Sequence, residues 1–337
     1  MRPSALSQRL DEGLVAFAWD EWAQMGVLAL AQRRSCWAQD PEALVVFTLE
    51  VARDDPRLFD ELLDWLLVNE GLLSVRRLRA MCADPEDERL LAGALGWLAR
   101  RRPRARLTSR VATGTAGEPQ QLFRELTVSV DDPDSAFAAV GLLRPEAKPT
   151  GKAVRPDLRA GINLAFRLRE LLGVGVRAEV VRFLLTVAAP AVSAQAVARS
   201  AGFAKRNVHD ALAALHAAGV VSQWTVGNEQ RYAIDRSSWT QLLAIESGDL
   251  PHERAWPQLL AGLRKLRRWL HGPGLDDLSE YLRASQARDL LEEVRRDVEY
   301  AGVPIGRLPA EGAWDDLEVL VDHVLRELAT DDLHPHG

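Results

Sequence analysis

The stretch from Val176 to Ile234 constrains this chain more than any other. Val180, Val181, Phe183, Leu184 and Leu185 recur across residues 177–186 as one broad apolar face, the period of a core helix. Pro190 closes that element. Ser193 stands where it can N-cap a short second helix over residues 194–200. Ala198 and Gly202 lie four residues apart. Alanine at the first position permits a close approach of backbone, and glycine at the second tolerates the positive φ of a turn. Val208, Ala211, Leu212 and Leu215 then form the buried stripe of a third helix, about residues 204–217. After Gly219, residues 220–226 are β-branched and apolar at alternate positions, and Gly227-Asn228 marks a tight turn. Residues 229–234 complete a hairpin.

This order of helix, helix, turn, helix and hairpin resembles the winged helix-turn-helix of MarR- and ArsR-type regulators, over about residues 176–240 only. The resemblance implies a mainly α protein in which the third helix enters the major groove of double-stranded DNA. The hairpin, about residues 224–232, would be a wing on the backbone. The expected DNA-binding residues are Ser193, Lys205, Arg206, Asn207, His209, Asn228 and Arg231. Arg206 suits a bidentate contact to guanine, Asn207 one to adenine, and Lys205 and Arg231 contacts to phosphate. Asp210 repels phosphate, so it either reads a cytosine amino group or faces away. The function implied is a sequence-specific transcriptional regulator, expected to be a homodimeric repressor on a near-palindromic site. The same fold also serves as a protein–protein module, in which Lys205, Arg206 and His209 are only a solvated helix face.

Charge distribution bears on that choice. The chain of 337 residues carries a net charge of −6. Residues 158–241 hold 10 Lys and Arg against 5 Asp and Glu, a local excess of +5 that leaves −11 on the rest. A basic segment inside an acidic protein suits a localised DNA footprint and excludes a uniformly basic binder. The acidic remainder offers a surface for a protein partner.

The length calls for two or three domains. Residues 1–110 are expected to form an N-terminal helical domain. Asp40-Pro41, Asp55-Pro56 and Asp84-Pro85 repeat one start signal, an Asp N-cap followed by Pro at the first helical position. Trp19, Trp22, Trp37, Trp65 and Trp97 are expected between those helices. Arg100, Arg101, Arg102, Arg104, Arg106 and Arg110 are a solvated helix end, or else an auxiliary phosphate-contacting arm. Residues 111–157 are expected to be a partly irregular linker with one strand-like run at 126–130. Residues 158–243 form the winged unit, led by a helix over 159–172. Residues 244–337 are expected to be a C-terminal helical domain with helices near 256–270, 279–298 and 314–328.

Little favours an enzyme, and no catalytic residue, metal or cofactor is expected. Gly151-Lys152 lacks the upstream glycine of a phosphate loop. There is no G-x-G-x-x-G, G-x-S-x-G or H-E-x-x-H. Acid pairs such as Asp131-Asp132 and Glu292-Glu293 suit helix surfaces and caps. His209 and His216 share a helix face without a third ligand. Cys36 and Cys82 are the only cysteines and have no C-x-x-C partner, which fits a reducing cytoplasm. No apolar run is long enough to span a membrane.

Overall fold

The three Asp-Pro dipeptides open three helices: α2 (Pro41–Val51), α3 (Pro56–Asn69) and α5 (Pro85–Arg101). Each aspartate caps its helix. Asp40 accepts from Ala43 N at 3.0 Å, Asp55 from Arg57 N at 3.0 Å and Leu58 N at 3.1 Å, and Asp84 from Glu86 N and Asp87 N at 3.0 Å. The structure, a computed structural model, describes residues 3–32, 34–107, 118–124, 131–246, 249–275, 277–303, 305 and 312–330. Within them it is mainly helical with two small sheets. The run at 126–130 and Arg110 lie outside the described residues.

Every residue of α2 is buried, Glu42, Thr48 and Glu50 included. Around it pack α1 (Pro3–Gln24), α3, α4 (Val75–Met81), α5 and α12 (Trp256–Leu270). Helix α13 (Glu280–Tyr300) lies on α12, and α14 (Ala313–Ala329) lies on both α13 and α1. Residues expected in two separate regions, 1–110 and 244–337, thus contribute to one apolar cluster running from Leu6 to Leu328. Phe17 stacks on Trp256 at 5.6 Å, and the Trp256 indole N–H donates to Ala38 O at 3.0 Å. Trp22, Trp65 and Trp97 are fully buried there, while Trp19 and Trp37 pack at its edge.

Arginines tie α12 to this body. Arg267 donates to Asp11 Oδ1 and Glu50 Oε1, each at 2.7 Å, and Arg264 donates to Asp87 Oδ2 at 3.1 Å. The described parts of 111–157 also pack on it. Strands β1 (Gln120–Gln121) and β2 (Leu142–Leu143) pair in parallel, and α6 (Ser135–Ala138) lies against α5. Leu122, Phe123 and Phe137 are buried. A two-residue strand is too short to show a period, so the sequence reads there as irregular.

A second apolar cluster runs from Leu164 to Leu243. It is built from α7 (Leu164–Leu172), α8 (Val176–Thr186), β3 (Val192–Ser193), α9 (Ala194–Ala201), α10 (Lys205–Ala217), β4 (Val221–Val226), β5 (Glu229–Ile234) and α11 (Arg236–Leu242). The sheet order is β3-β5-β4, antiparallel throughout. Helix α7 serves both clusters: Phe166 faces the first, Leu164 and Leu168 the second.

Between the clusters lies a buried set of charges. Arg77 of α4 pairs with Asp40, Glu42 and Glu179, Arg169 of α7 with Glu42 and Glu179, and Arg182 of α8 with Glu179 and Glu253. Arg77, Arg169, Arg182, Asp40, Glu42 and Glu179 are all buried, and Ser200 and Thr186 also donate to Glu253. Helices α8 and α9 are therefore fixed to the larger body by directional bonds as well as by apolar contact.

Among the described residues no helix is long and apolar enough to cross a membrane. Cys36 and Cys82 are free thiols; burial first, then Asp87, pushes the Cys82 thiol up to about 12.

Candidate nucleic-acid interface

Local chemistry sets the α9–α10 turn. Ser193 caps α9: its Oγ accepts from Ala196 N at 3.3 Å. The residue is only 9% exposed, so its hydroxyl serves the helix end more than the surface. Ser193→Ala is expected to cost about 1 kcal/mol of stability in a urea titration, the usual loss for a cap. Gly202 ends α9 in the left-handed region at φ 65°. A Cβ there would meet Met81 Cε at 2.5 Å, so α4 packs directly on the turn. Arg77 Nε donates to Ala201 O at 2.9 Å and satisfies a carbonyl that the end of α9 leaves over.

Helix α10 begins without a side-chain cap at Ala204. Its first N–H groups receive no bond from a capping side chain and lie beside the exposed Lys205 and Arg206. Val208, Ala211, Leu212 and Leu215 are buried, as the sequence period predicts. At about 100° per residue, Arg206, Asp210, Ala213 and Ala217 point furthest from that stripe. Lys205, His209 and His216 share one flank. His216 Nδ1 lies 2.9 Å from Val221 O, which identifies this flank as the hairpin side. Lys205, Arg206, His209 and Asp210 are exposed.

Asn207 occupies the other flank and faces α4. With its amide oxygen toward Arg76, it accepts from both terminal nitrogens of the guanidinium, at 2.7 and 2.9 Å. A bidentate adenine contact needs that oxygen, so Asn207 must leave Arg76 before it can read a base in the expected way. Asp210 remains near the centre of the exposed face, among otherwise cationic or small side chains.

In the hairpin, Trp224 stands opposite Arg231 and Val226 opposite Glu229. Gly227 supplies the positive φ, 59°, that the turn requires, and Asn228 is exposed at the tip. Arg231 pairs with Glu229 at 2.7 Å; both side chains are more than a third exposed, so the pair is weak. On the inner face, Gln223 Nε2 donates to Gln230 Oε1 at 3.1 Å and Gln230 Nε2 to Thr225 Oγ1 at 3.0 Å. The outer face shows Trp224, 42% exposed, and Val226, 55% exposed. The sequence reading missed Trp224 as a surface feature; strand alternation with buried Val221 is the signal that places it outward.

Two further arginines border α10 and were also missed. Arg76 of α4 and Arg177 at the start of α8 are exposed and line a groove of about 590 Å³ with Asn207 and Asp210. In the arginine-rich run, Arg101 lies over the Trp97 ring at 4.2 Å and donates to Ala147 O at 2.8 Å. Arg102 donates to Leu67 O. These two serve the body's own packing.

Asp11, Asp54 and His271 place one ligand atom each within 4.8 Å of one another. Arg267 already binds Asp11 and Asp54, and His271 Nε2 lies 2.8 Å from Asp11 Oδ2. Both carboxylates thus already have a cationic partner in Arg267.

Comparison with protein-family models, curated proteins and solved structures finds no match to this chain.

Proposed function

We propose that this protein is a sequence-specific DNA-binding regulator of the winged helix-turn-helix class. One observation carries the reading: α10 presents Lys205, Arg206 and His209 on an exposed face at an uncapped helix start, beside an exposed hairpin. A helix of that width fits the major groove, and its N-terminal residues reach base edges first. The Arg206 guanidinium has the fork to hold guanine O6 and N7 together, and Lys205 stands where a phosphate passes. The β4–β5 hairpin reaches the backbone through Arg231 and Asn228. Arg169 and Arg182 are neutralised in buried ion pairs, so the positive charge that would draw DNA to this segment is that of exposed side chains such as Lys205, Arg206 and Arg177. Two copies about a two-fold axis would read a near-palindrome, and occupancy of a promoter would repress it.

Arg206→Ala is expected to weaken duplex binding by about 1–3 kcal/mol and to relax preference at one base pair. Lys205→Ala is expected to weaken all duplexes alike and to reduce the salt slope by about one. Fluorescence anisotropy with labelled duplexes measures both. Unchanged affinity in both variants would remove α10 from the interface.

A second reading rests on the outer face of the hairpin. Trp224 and Val226 make an exposed apolar pair on an edge strand, which suits contact with another protein. That reading expects no salt-sensitive DNA affinity and a loss of partner capture in Trp224→Ala.

A further inference from the structure

A helix in the major groove has a phosphate backbone along each flank. The hairpin stands on the flank of α10 that carries His209 and His216. The opposite flank faces α4, a helix of the larger body that lies outside the segment resembling a winged helix. Packing of Met81 on Gly202 and the Arg77 bond to Ala201 O hold α4 there. Arg76 projects from α4 onto Asn207, with its guanidinium 5.9 Å from the Phe203 ring. Across the same groove stands Arg177, which makes no ion pair among the described residues. Among the described residues Asp210 is the only acid lining that groove, so two cations outweigh one anion there.

Resting on the DNA-binding reading, we propose that Arg76 and Arg177 bind the DNA backbone strand opposite the wing. The interface is then a clamp with the hairpin on one flank of α10 and α4 with the start of α8 on the other. Arg76 has a second task, because its fork also holds the Asn207 amide oxygen. Its partner is the phosphodiester of duplex DNA, contacted without regard to sequence. The larger body thereby contributes a DNA contact of its own.

The test uses the full chain and measures affinity against salt for two labelled duplexes of equal length. One comes from upstream of the protein's own gene and one is unrelated. Arg76→Gln and Arg177→Gln are compared with wild type, Asn207→Ala and Arg206→Ala. Each Gln variant is expected to reduce the slope of log affinity against log salt by about one, and to weaken both duplexes by the same factor. Asn207→Ala is expected to leave the slope unchanged. If Arg206→Ala weakens binding while both Gln variants keep the wild-type slope and affinity, the clamp is wrong and the recognition helix stands. If Asn207→Ala reproduces the whole Arg76→Gln loss with no change of slope in either, Arg76 only positions Asn207 and its contact to phosphate is refuted. If wild type binds neither duplex, the clamp fails together with the reading beneath it. Among the described residues Arg177 makes no side-chain hydrogen bond or ion pair, so its variant keeps the test valid should Arg76→Gln disturb folding.

Discussion

Arg169→Met is expected to lower the free energy of unfolding by about 3–5 kcal/mol, read as an earlier midpoint in a urea titration. Arg169 is buried and donates five hydrogen bonds. Its Nε and Nη2 reach Glu179 Oε1 at 2.9 and 2.6 Å. Its Nη1 reaches Glu42 Oε1 at 2.9 Å and Leu72 O at 2.7 Å, and Nη2 reaches Glu42 Oε2 at 2.7 Å. Removing the guanidinium leaves two buried carboxylates short of a cation, which costs far more than the pair contributes over an apolar substitute. Lysine restores the charge with only three donors and no planar fork, so Arg169→Lys is expected to recover only part of the loss.

The same cluster sets a pH dependence. Burial alone pushes Glu179 up, but Arg169, Arg77 and Arg182 together hold its carboxyl well below the usual glutamate range. A carboxylate depressed in the folded state contributes its stability in full above its unfolded value, about 4.3, and loses it as the pH falls toward the folded value. Arg169→Met removes one of the cations that depress Glu179. The gap between wild type and variant is therefore expected to be widest near neutrality and to narrow below about pH 4. Urea titrations at several pH values measure it; a gap that widens on acidification would contradict the role given to Glu179.

Trp65→Ala is expected to cost about 3–5 kcal/mol, the usual range for truncating a large buried aromatic. The Trp65 ring lies 4.8 Å from Trp22 and 5.9 Å from Phe166, so it joins α1, α3 and α7 in one contact. Its indole N–H donates to Met25 O at 2.7 Å, in the turn that ends α1. Alanine leaves a cavity and an unsatisfied carbonyl together. Phenylalanine fills most of the space and loses only the bond, so Trp65→Phe is expected to cost about 1–2 kcal/mol. A loss below about 1 kcal/mol for the alanine variant would show that the core can close over the site.

What was legible in the sequence is what depends on near neighbours. The Asp-Pro helix starts, the Ser193 cap, the Gly202 turn and the Gly227-Asn228 hairpin each need only a few adjacent residues. The buried stripe of α10 was legible for the same reason. Arg169 was not, because its partner Glu42 lies 127 residues away. Periodicity assigns a long cationic side chain to solvent, so Arg77, Arg182, Arg264 and Arg267 read as polar faces. Apart from Glu179, three residues before Arg182 on the same helix, the carboxylates that allow their burial are brought near by the tertiary fold. The candidate interface divides in the same way. Lys205, Arg206 and His209 follow from helix phase, whereas Arg76 reaches α10 only because α4 packs on Gly202. Asn207 is a base contact only by the winged-helix resemblance; in the structure its amide oxygen faces Arg76 of α4.

The most direct measurement is anisotropy of a labelled duplex from upstream of the protein's own gene, with excess unrelated competitor, at about 50 and 200 mM salt. DNA recognition through α10 requires binding that survives the competitor, weakens at the higher salt and falls in Arg206→Ala. No binding at either salt, or binding that Arg206→Ala leaves intact, would contradict it.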